Sequence, residues 1–251
     1  YFEDMLNKSK NDLSTKVTML CKDFNIKQLD SGSWLTFHEV NNETKYNLSD
    51  FKDCYAIGGV DLSSTTDLTA ALLLIIKNGK KYVIPHFFMP SELVKKRVEE
   101  DAVPYDTWVK KGYITLTNGN QNDFSLVTKW FLKMVREFGI RPMWIGYDPW
   151  NSQYWVKEME DNGFNMIKIR QGIFSLSEPM KQLEADLKNK LVVYNNNPIL
   201  KWCLCNTQAK VDINGNIQPS KLNSKLKRID GAVALIIIYA VLQQYKLDYE
   251  N

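Results

Sequence analysis

Three short runs of apolar residues lie between residues 55 and 88, and polar turn residues separate them. The runs at 55–61, 68–76 and 80–88 have the length and the apolar content of β-strands. Asn78-Gly79, between the second and third runs, is a strong signal for a two-residue hairpin. Successive strands with short turns usually pair as neighbours, so this part of the chain is predicted to form an antiparallel three-strand meander.

From residue 90 onward, helical and strand patterns alternate. The predicted helices are 92–101, a short one from Pro104, 124–138, Pro149 to Asn162, one that follows the capping pattern at 175–178, one from Pro198, and 229–242. The predicted strands are 143–148, 165–170 and 191–194, with a second hairpin at 211–217 around Asn214-Gly215. This order predicts an α/β fold in which parallel strands extend the meander into a mixed sheet with helices on both faces.

Residues 1–50 are polar and weakly patterned, in contrast to the rest of the chain. We expect them to form an N-terminal arm, or an interdomain linker remnant, packed on a main domain at 51–251. The chain has 251 residues, of which 44% are hydrophobic, and this is enough for one sizeable core or a core with an appendage. Because the first residue is tyrosine, the sequence is expected to be a fragment or a processed piece.

The overall charge and the cysteine pattern restrict the possible functions. A net charge of +3 does not require a nucleic-acid partner, so such a partner must be argued from local charge. The four cysteines (Cys21, Cys54, Cys203 and Cys205) lack zinc-knuckle spacing, so no zinc site is expected and they are interpreted as reduced thiols in a cytoplasm. The longest apolar run, 232–242, is too short to span a bilayer.

Three aspartates share one kind of position in the predicted fold. Asp61 ends the first strand, Asp148 ends the strand at 143–148, and Asp230 opens the last apolar helix. Sites in open α/β sheets form at the carboxyl ends of strands, so the fold could bring the three acids to one edge. Clustered carboxylates repel one another, and hard divalent cations reverse that cost. Two such ions can activate water and stabilise the leaving 3′ oxygen of a phosphodiester, without a histidine, cysteine or serine nucleophile.

Each aspartate also has a purely structural interpretation. Asp148, before Pro149, could be the N-cap of the next helix, and Asp230 could cap the last helix. Asp61 could accept hydrogen bonds from the turn amides at 63 and 64. Asp67 is interpreted as a turn or strand-entry residue. Taken together, the three matching positions favour a metal site.

Several motifs occur in the order found in one known family. They are Gly59-Val60-Asp61-Leu62-Ser63-Ser64-Thr65-x-Asp67-Leu68-Thr69-Ala70, Tyr147-Asp148-Pro149-Trp150-Asn151, Arg170-Gln171-Gly172 and Arg228-Ile229-Asp230-Gly231-Ala232-Val233-Ala234-Leu235. Over residues 50 to 245 the chain thereby resembles the nuclease domain of the tailed-bacteriophage terminase large subunit.

The resemblance implies a ribonuclease H-like fold and two Mg2+ or Mn2+ ions, with Asp61, Asp148 and Asp230 as metal ligands and catalytic residues. It implies endonucleolytic cutting of concatemeric double-stranded viral DNA during genome packaging, in the host cytoplasm at the portal vertex of the procapsid. The implied partners are the DNA, a packaging ATPase domain, the small terminase subunit, the portal and the capsid, with no membrane. The chain has no G-x-x-x-x-G-K-[ST] phosphate loop, so it is expected to be the nuclease portion alone, which cuts DNA without translocating it.

A basic segment leads into Asp230. Residues 201–228 hold six basic residues and one acid, a local charge of +5. Basic side chains beside a carboxylate cluster would contact phosphates, and Lys225, Lys227 and Arg228 are the predicted DNA-binding residues because they adjoin the site. The hairpin at Asn214-Gly215 could lie over the duplex, and the alternative for the whole segment is a solvated loop.

Three other functions remain open from the residues alone. An actin-like or sugar-kinase-like ATPase also has a strand followed by an Asp-Leu-small-Thr turn, and calorimetry with ATP would detect it. A transposase or integrase core uses three acids in the same way but also joins strands. In an inert scaffold, the aspartates would serve only as caps.

Overall fold

The computed structural model describes residues 33–63, 68–101, 103–150, 152–221 and 227–250. Predictions made for Cys21, Ser64, Asp67 and Lys225 lie outside the described residues. The strands are β1 (Tyr55–Asp61), β2 (Thr69–Lys77), β3 (Lys80–Pro90), β4 (Ile114–Thr117), β5 (Arg141–Tyr147), β6 (Met166–Lys168), β7 (Val192–Val193), β8 (Gln208–Val211) and β9 (Ile217–Ser220). The α-helices are α1 (Phe37–Val40), α2 (Val94–Asp101), α3 (Tyr105–Lys110), α4 (Ser125–Phe138), α5 (Gln153–Asp161), α6 (Ile173–Lys188), α7 (Pro198–Asn206), α8 (Asp230–Gln244) and α9 (Lys246–Glu250). Short 3-10 helices lie at Leu48–Phe51 and Ser91–Leu93.

The main sheet has seven strands in the order β4-β3-β2-β1-β5-β6, with β7 paired to β3 off this path. β1, β2 and β3 pair antiparallel, while β5 and β6 continue the sheet in parallel with β1. The predicted α/β class, a mixed sheet made of a meander and parallel strands with helices on both faces, is therefore confirmed. β8 and β9 form the separate, predicted hairpin.

The sheet separates two hydrophobic cores. Alternate side chains of β2 enter opposite cores, with Leu72 and Leu74 on one face and Leu73 and Ile75 on the other, as the period-2 geometry of a strand requires. Helices α6, α7 and α8 cover the first face, and α4 and α5 cover the second. A strand buried on both faces reads as a continuous apolar run, which is why β2 was predictable.

Helix α8 lies close against the middle of the sheet because two strands carry glycine there. A Cβ atom at Gly59 of β1 would lie 2.5 Å from the carbonyl oxygen of Ala234 and 2.4 Å from Ile238 Cγ1. A Cβ at Gly146 of β5 would lie 2.6 Å from Ile237 Cγ2. The two glycines pair with each other in the β1–β5 register, so the helix crosses both strands at one level.

The predictions were wrong at three elements. The strand β4 was not predicted, and it pairs in parallel with β3 at the edge of the sheet. Helix α5 begins at Gln153 and not at Pro149, because the Asp148 carboxylate accepts a 3.1 Å hydrogen bond from the Trp150 amide and closes a turn first. Helix α6 begins at Ile173, so Ser175 lies inside its first turn and is not the cap of a box.

The described part of the N-terminal segment packs on α6 and β7. Trp34 donates a 2.8 Å hydrogen bond to Glu184 Oε2, and the Asn42 amide donates one of 2.8 Å to the Val192 carbonyl. Leu35 and Val40 are fully buried in the same core as α8. The division at residue 50 stays a prediction. Among the described helices, none combines the length and the apolar character that crossing a membrane demands.

Candidate active site at the carboxyl edge of the sheet

Asp61 and Asp148 lie on neighbouring parallel strands at the same edge of the sheet. Val60 of β1 is paired with Tyr147 of β5, and one residue further along each strand are the two aspartates. Adjacent strands are about 4.8 Å apart, so their Cα atoms lie at neighbouring positions of this edge. Asp61 and Asp148 are both half-buried, which leaves each accessible to solvent or substrate.

Asp230 is the first residue of α8 and is 4% exposed. The next residue, Gly231, has no side chain, and a Cβ there would lie 3.0 Å from the Phe87 ring and 3.3 Å from Leu200. This packing fixes the start of α8 beside β3 and α7. The amino terminus of a helix also favours a negative charge, which lowers the cost of burying this carboxylate.

Asp61 and Asp230 both act electrostatically on the buried thiol of Cys203. Burial raises the pKa of this thiol well above its ordinary value, and the negative charges of Asp230 and Asp61 raise it further. The thiol therefore stays protonated and is neither a thiolate nucleophile nor a ready metal ligand. Of the described cysteines, Cys54, Cys203 and Cys205 are all free thiols.

The carboxylates share an edge, but their side chains are not arranged as a complete set of metal ligands. Among the described residues, no three His, Cys, Asp or Glu side chains are grouped so that they could hold a metal ion. The Asp148 side chain is engaged with the Trp150 amide in its own turn. Carboxylate oxygens are nevertheless the ligands that Mg2+ and Mn2+ prefer, and the donor types at this edge fit such ions.

Neither Asp148 nor Asp230 has the helix-capping role that the sequence allowed. Asp148 is not a helix cap, since Ser152 occupies that position of α5. Asp230 is also not the N-cap, because Ile229 precedes it at the cap position. The Ser63 amide, one of the two turn amides considered for Asp61, donates to Thr69 Oγ1 at 3.0 Å.

A hydrogen-bonded clamp holds Ser63, two residues after Asp61. The Thr69 hydroxyl bonds both the amide and the carbonyl of Ser63 at 3.0 Å. Asn122 Nδ2 donates to the same carbonyl at 2.7 Å. Asn122 was not predicted from the sequence, because it lies in a polar loop behind β4 and carries no motif of its own.

The structure gives Arg228 a different role from the predicted contact with DNA. Its side chain is 3% exposed. The guanidinium forms a bidentate ion pair with Asp101, at 3.0 Å from Nε to Oδ2 and 3.0 Å from Nη2 to Oδ1. The Tyr105 hydroxyl donates a 2.6 Å hydrogen bond to the same carboxylate. Arg228 thus ties the start of α8, and with it Asp230, to α2 and α3.

The other cations of the basic segment have varied surroundings. Lys201 donates to Asn41 Oδ1 at 2.8 Å and lies over the Phe37 ring, so it contacts the N-terminal segment. Lys227 is half-buried, and Lys225 lies outside the described residues. Contacts of Lys225 and Lys227 with DNA stay predictions. The β8–β9 hairpin is fastened to α6 by a 3.0 Å hydrogen bond from the Ile217 amide to Ser177 Oγ.

Comparison with known proteins identifies the family. The family described as "Terminase large subunit, endonuclease domain" matches residues 1–245. The large terminase subunit of Enterobacteria phage HK97 is 29% identical over 180 residues, which are 70% of this chain and 35% of that protein. The large subunit of Lactococcus phage p2 is 29% identical over 200 residues, 76% of this chain and 36% of that protein. The chain therefore spans little more than a third of the length of these relatives.

Solved structures show the same fold. The crystal structure of the HK97 bacteriophage large terminase matches with a TM-score of 0.71 at 22% identity, over 95% of this chain and 49% of that chain. The large terminase nuclease from thermophilic phage G20c matches with a TM-score of 0.51 at 13% identity, over 75% of this chain and 82% of that chain. These matches agree with a ribonuclease H-like sheet. The chain belongs to the family of terminase large subunit endonuclease domains.

Proposed function

We propose that this domain cuts double-stranded DNA by metal-dependent phosphodiester hydrolysis, with Asp61, Asp148 and Asp230 as the metal ligands and catalytic residues. The observation that carries the proposal is the β1–β5 register, in which the residues after Val60 and Tyr147 are both aspartates at one edge. The third acid, Asp230, shares the neighbourhood of Cys203 with Asp61.

The three side chains would hold one or two divalent ions, Mg2+ or Mn2+. When bound, such ions activate water as the nucleophile and stabilise the negative charge on the leaving oxygen. The chain's own residues supply the rigid part of the site. Asp61 is held at the end of a buried strand by the clamp on Ser63, and Asp230 is held at the start of α8 by the Arg228–Asp101 pair.

The proposed biological role is the cutting of concatemeric viral DNA during genome packaging. The family membership and the similarity to large terminase subunits support this role. The packaging ATPase domain, the small terminase subunit, the portal and the capsid are the proposed partners, at the portal vertex in the host cytoplasm. Because the chain spans a minor part of its relatives, the proposal for the domain itself is limited to cutting.

A plasmid assay tests the proposal. The purified domain with Mn2+ is expected to nick and linearise supercoiled DNA, and Asp61→Asn is expected to abolish both products. Asp161→Asn is the matched control, because this aspartate is exposed at the end of α5 and forms an ion pair with Lys157. Full cutting by Asp61→Asn, or by the wild-type domain in excess EDTA, would refute the proposal. Joined rather than free ends would indicate a strand-transfer enzyme.

A further inference from the structure

A cavity opens at the same edge of the sheet as the aspartates, at the end of β6. Its volume is about 350 Å³, and it is lined by Lys168, Ile169, Arg170, Ser175, Ala240 and Gln244. Two of these residues are cations and two are polar hydrogen-bonding side chains.

The strand register puts the cavity beside Asp148. Lys168 is paired with Tyr147, the residue before Asp148, and Ile169 follows it as Asp148 follows Tyr147. Since neighbouring strands are about 4.8 Å apart, the cavity begins one strand spacing from Asp148 and two from Asp61. A ligand in the cavity would therefore lie about one strand spacing from Asp148.

The cavity carries positive charge that no described side chain neutralises. Lys168 and Arg170 are both exposed, and neither forms an ion pair with a carboxylate in the part of the chain that the structure describes. By contrast, Arg228, one of the three cations predicted to contact DNA, is buried against Asp101. Ser175 lies in the first turn of α6, a helix whose N-cap is Gly172 and has no side chain to cap the helix amides.

We propose that this cavity binds a phosphate of the DNA backbone next to the phosphate that is cut. A guanidinium can bond two phosphate oxygens at once, and an ammonium group and a hydroxyl complete the set of donors. Phosphate contacts fix the register of a protein on a duplex without reading its sequence, which suits a contact beside a cleavage site. This inference rests on the proposed function, because it names a part of the substrate for the same edge.

Salt-dependent DNA binding in EDTA tests the cavity separately from cutting. A fluorescent duplex of about 20 base pairs is titrated by anisotropy between 50 and 200 mM salt with the wild-type domain, Lys168→Gln and Arg170→Gln. The slope of log K against log salt is negative, and one lost phosphate contact makes it about 0.9 less steep. This weakens binding roughly eightfold at 0.1 M salt. Each variant is expected to show this loss.

The control variant removes two charges near β4, the strand that lies at the other end of the strand order from β6. Lys110 and Lys111 are exposed at the end of α3, which packs by β4, five strands away from β6. Lys110→Gln/Lys111→Gln is expected to keep the wild-type slope. Equal slopes for this control and for Lys168→Gln/Arg170→Gln, with both proteins folded by circular dichroism, would overturn the proposal.

A second experiment distinguishes DNA from a free anion as the ligand of the cavity. Inorganic phosphate is added at constant ionic strength, and the thermal stability of the wild-type domain is compared with that of Lys168→Gln/Arg170→Gln. Stabilisation of the wild type alone, together with unchanged DNA binding by the variant, would assign the cavity to free phosphate and contradict the proposal. Because binding is measured without metal, a failure of the Asp61→Asn cutting test leaves this result unaffected.

Discussion

Replacing Gly59 by alanine should displace Asp230 although the two residues are not in the same element. The new Cβ would lie 2.5 Å from the Ala234 carbonyl oxygen and 2.4 Å from Ile238 Cγ1. Non-bonded heavy atoms prefer separations of roughly 3.5–4.0 Å. The Ile238 side chain can rotate, but the Ala234 oxygen belongs to the backbone of α8. The helix must therefore move away from β1 by about 1 Å, and Asp230 is its first residue.

The size of the effect follows from two separate costs. Overpacking a core costs typically about 1–3 kcal/mol of stability. A misplacement of about 1 Å in a catalytic group can lower a rate roughly 100-fold. We therefore expect Gly59→Ala to fold at 20 °C, to unfold at lower urea concentration, and to lose about two orders of magnitude in kcat for plasmid cutting.

Gly58→Ala is the matched control on the same strand. Its Cβ would meet Ile145 Cγ1 at 2.8 Å and the Phe131 ring at 3.2 Å, on the face that α4 covers, so it leaves α8 in place. Both variants are compared by urea unfolding and by single-turnover cutting at a temperature where both are folded. A wild-type kcat for Gly59→Ala, or an equal loss for Gly58→Ala, would show that contact with β1 does not set the position of Asp230.

Three other predictions concern groups around the site and the second core. Burial, followed by the charge of a nearby lysine, lowers the pKa of His86 to about 4, so its folded form stays neutral where the unfolded form takes up a proton. The free energy of unfolding that His86 contributes should thus be lost as pH falls from about 6.5 to 4, by at most about 3 kcal/mol. Urea unfolding of His86→Gln should not show this pH dependence. Asp101→Asn leaves the Arg228 guanidinium buried beside a neutral group, and urea unfolding should show a loss of about 3–5 kcal/mol; a loss below about 1 would contradict the described pair. Asn122→Ala removes the hydrogen bond to the Ser63 carbonyl, and should cost about 1 kcal/mol while lowering kcat; an unchanged kcat would show that the clamp does not position Asp61.

The elements with a strong pattern were predictable from the sequence. β1, β2, β3 and α8 are long, apolar and bounded by clear turn residues, and the structure has them within two residues of the predicted ends. β4 is four residues long and alternates with polar positions at an edge, so its pattern is too short to separate it from a loop. The start of α5 depended on the Asp148 side chain, whose bond to the Trp150 amide delays the helix.

The site was predictable in its topology and not in its contacts. The rule that sites form at carboxyl ends of strands placed Asp61 and Asp148 at one edge, and the β1–β5 register agrees with it. Charge density, however, does not reveal the partner of a cation. Arg228 adjoins Asp230 in sequence, but its ion pair is with Asp101, 127 residues away, and only the fold brings them together.

The proposed function requires divalent ions bound by Asp61, Asp148 and Asp230. Crystals of the domain soaked in Mn2+ and measured at the manganese absorption edge would test this most directly. We predict one or two anomalous peaks in contact with the carboxylates of these three residues, about 3.5–4 Å apart if there are two, and their loss in Asp61→Asn crystals. Peaks elsewhere, or none in a protein that still cuts DNA with Mn2+, would contradict it.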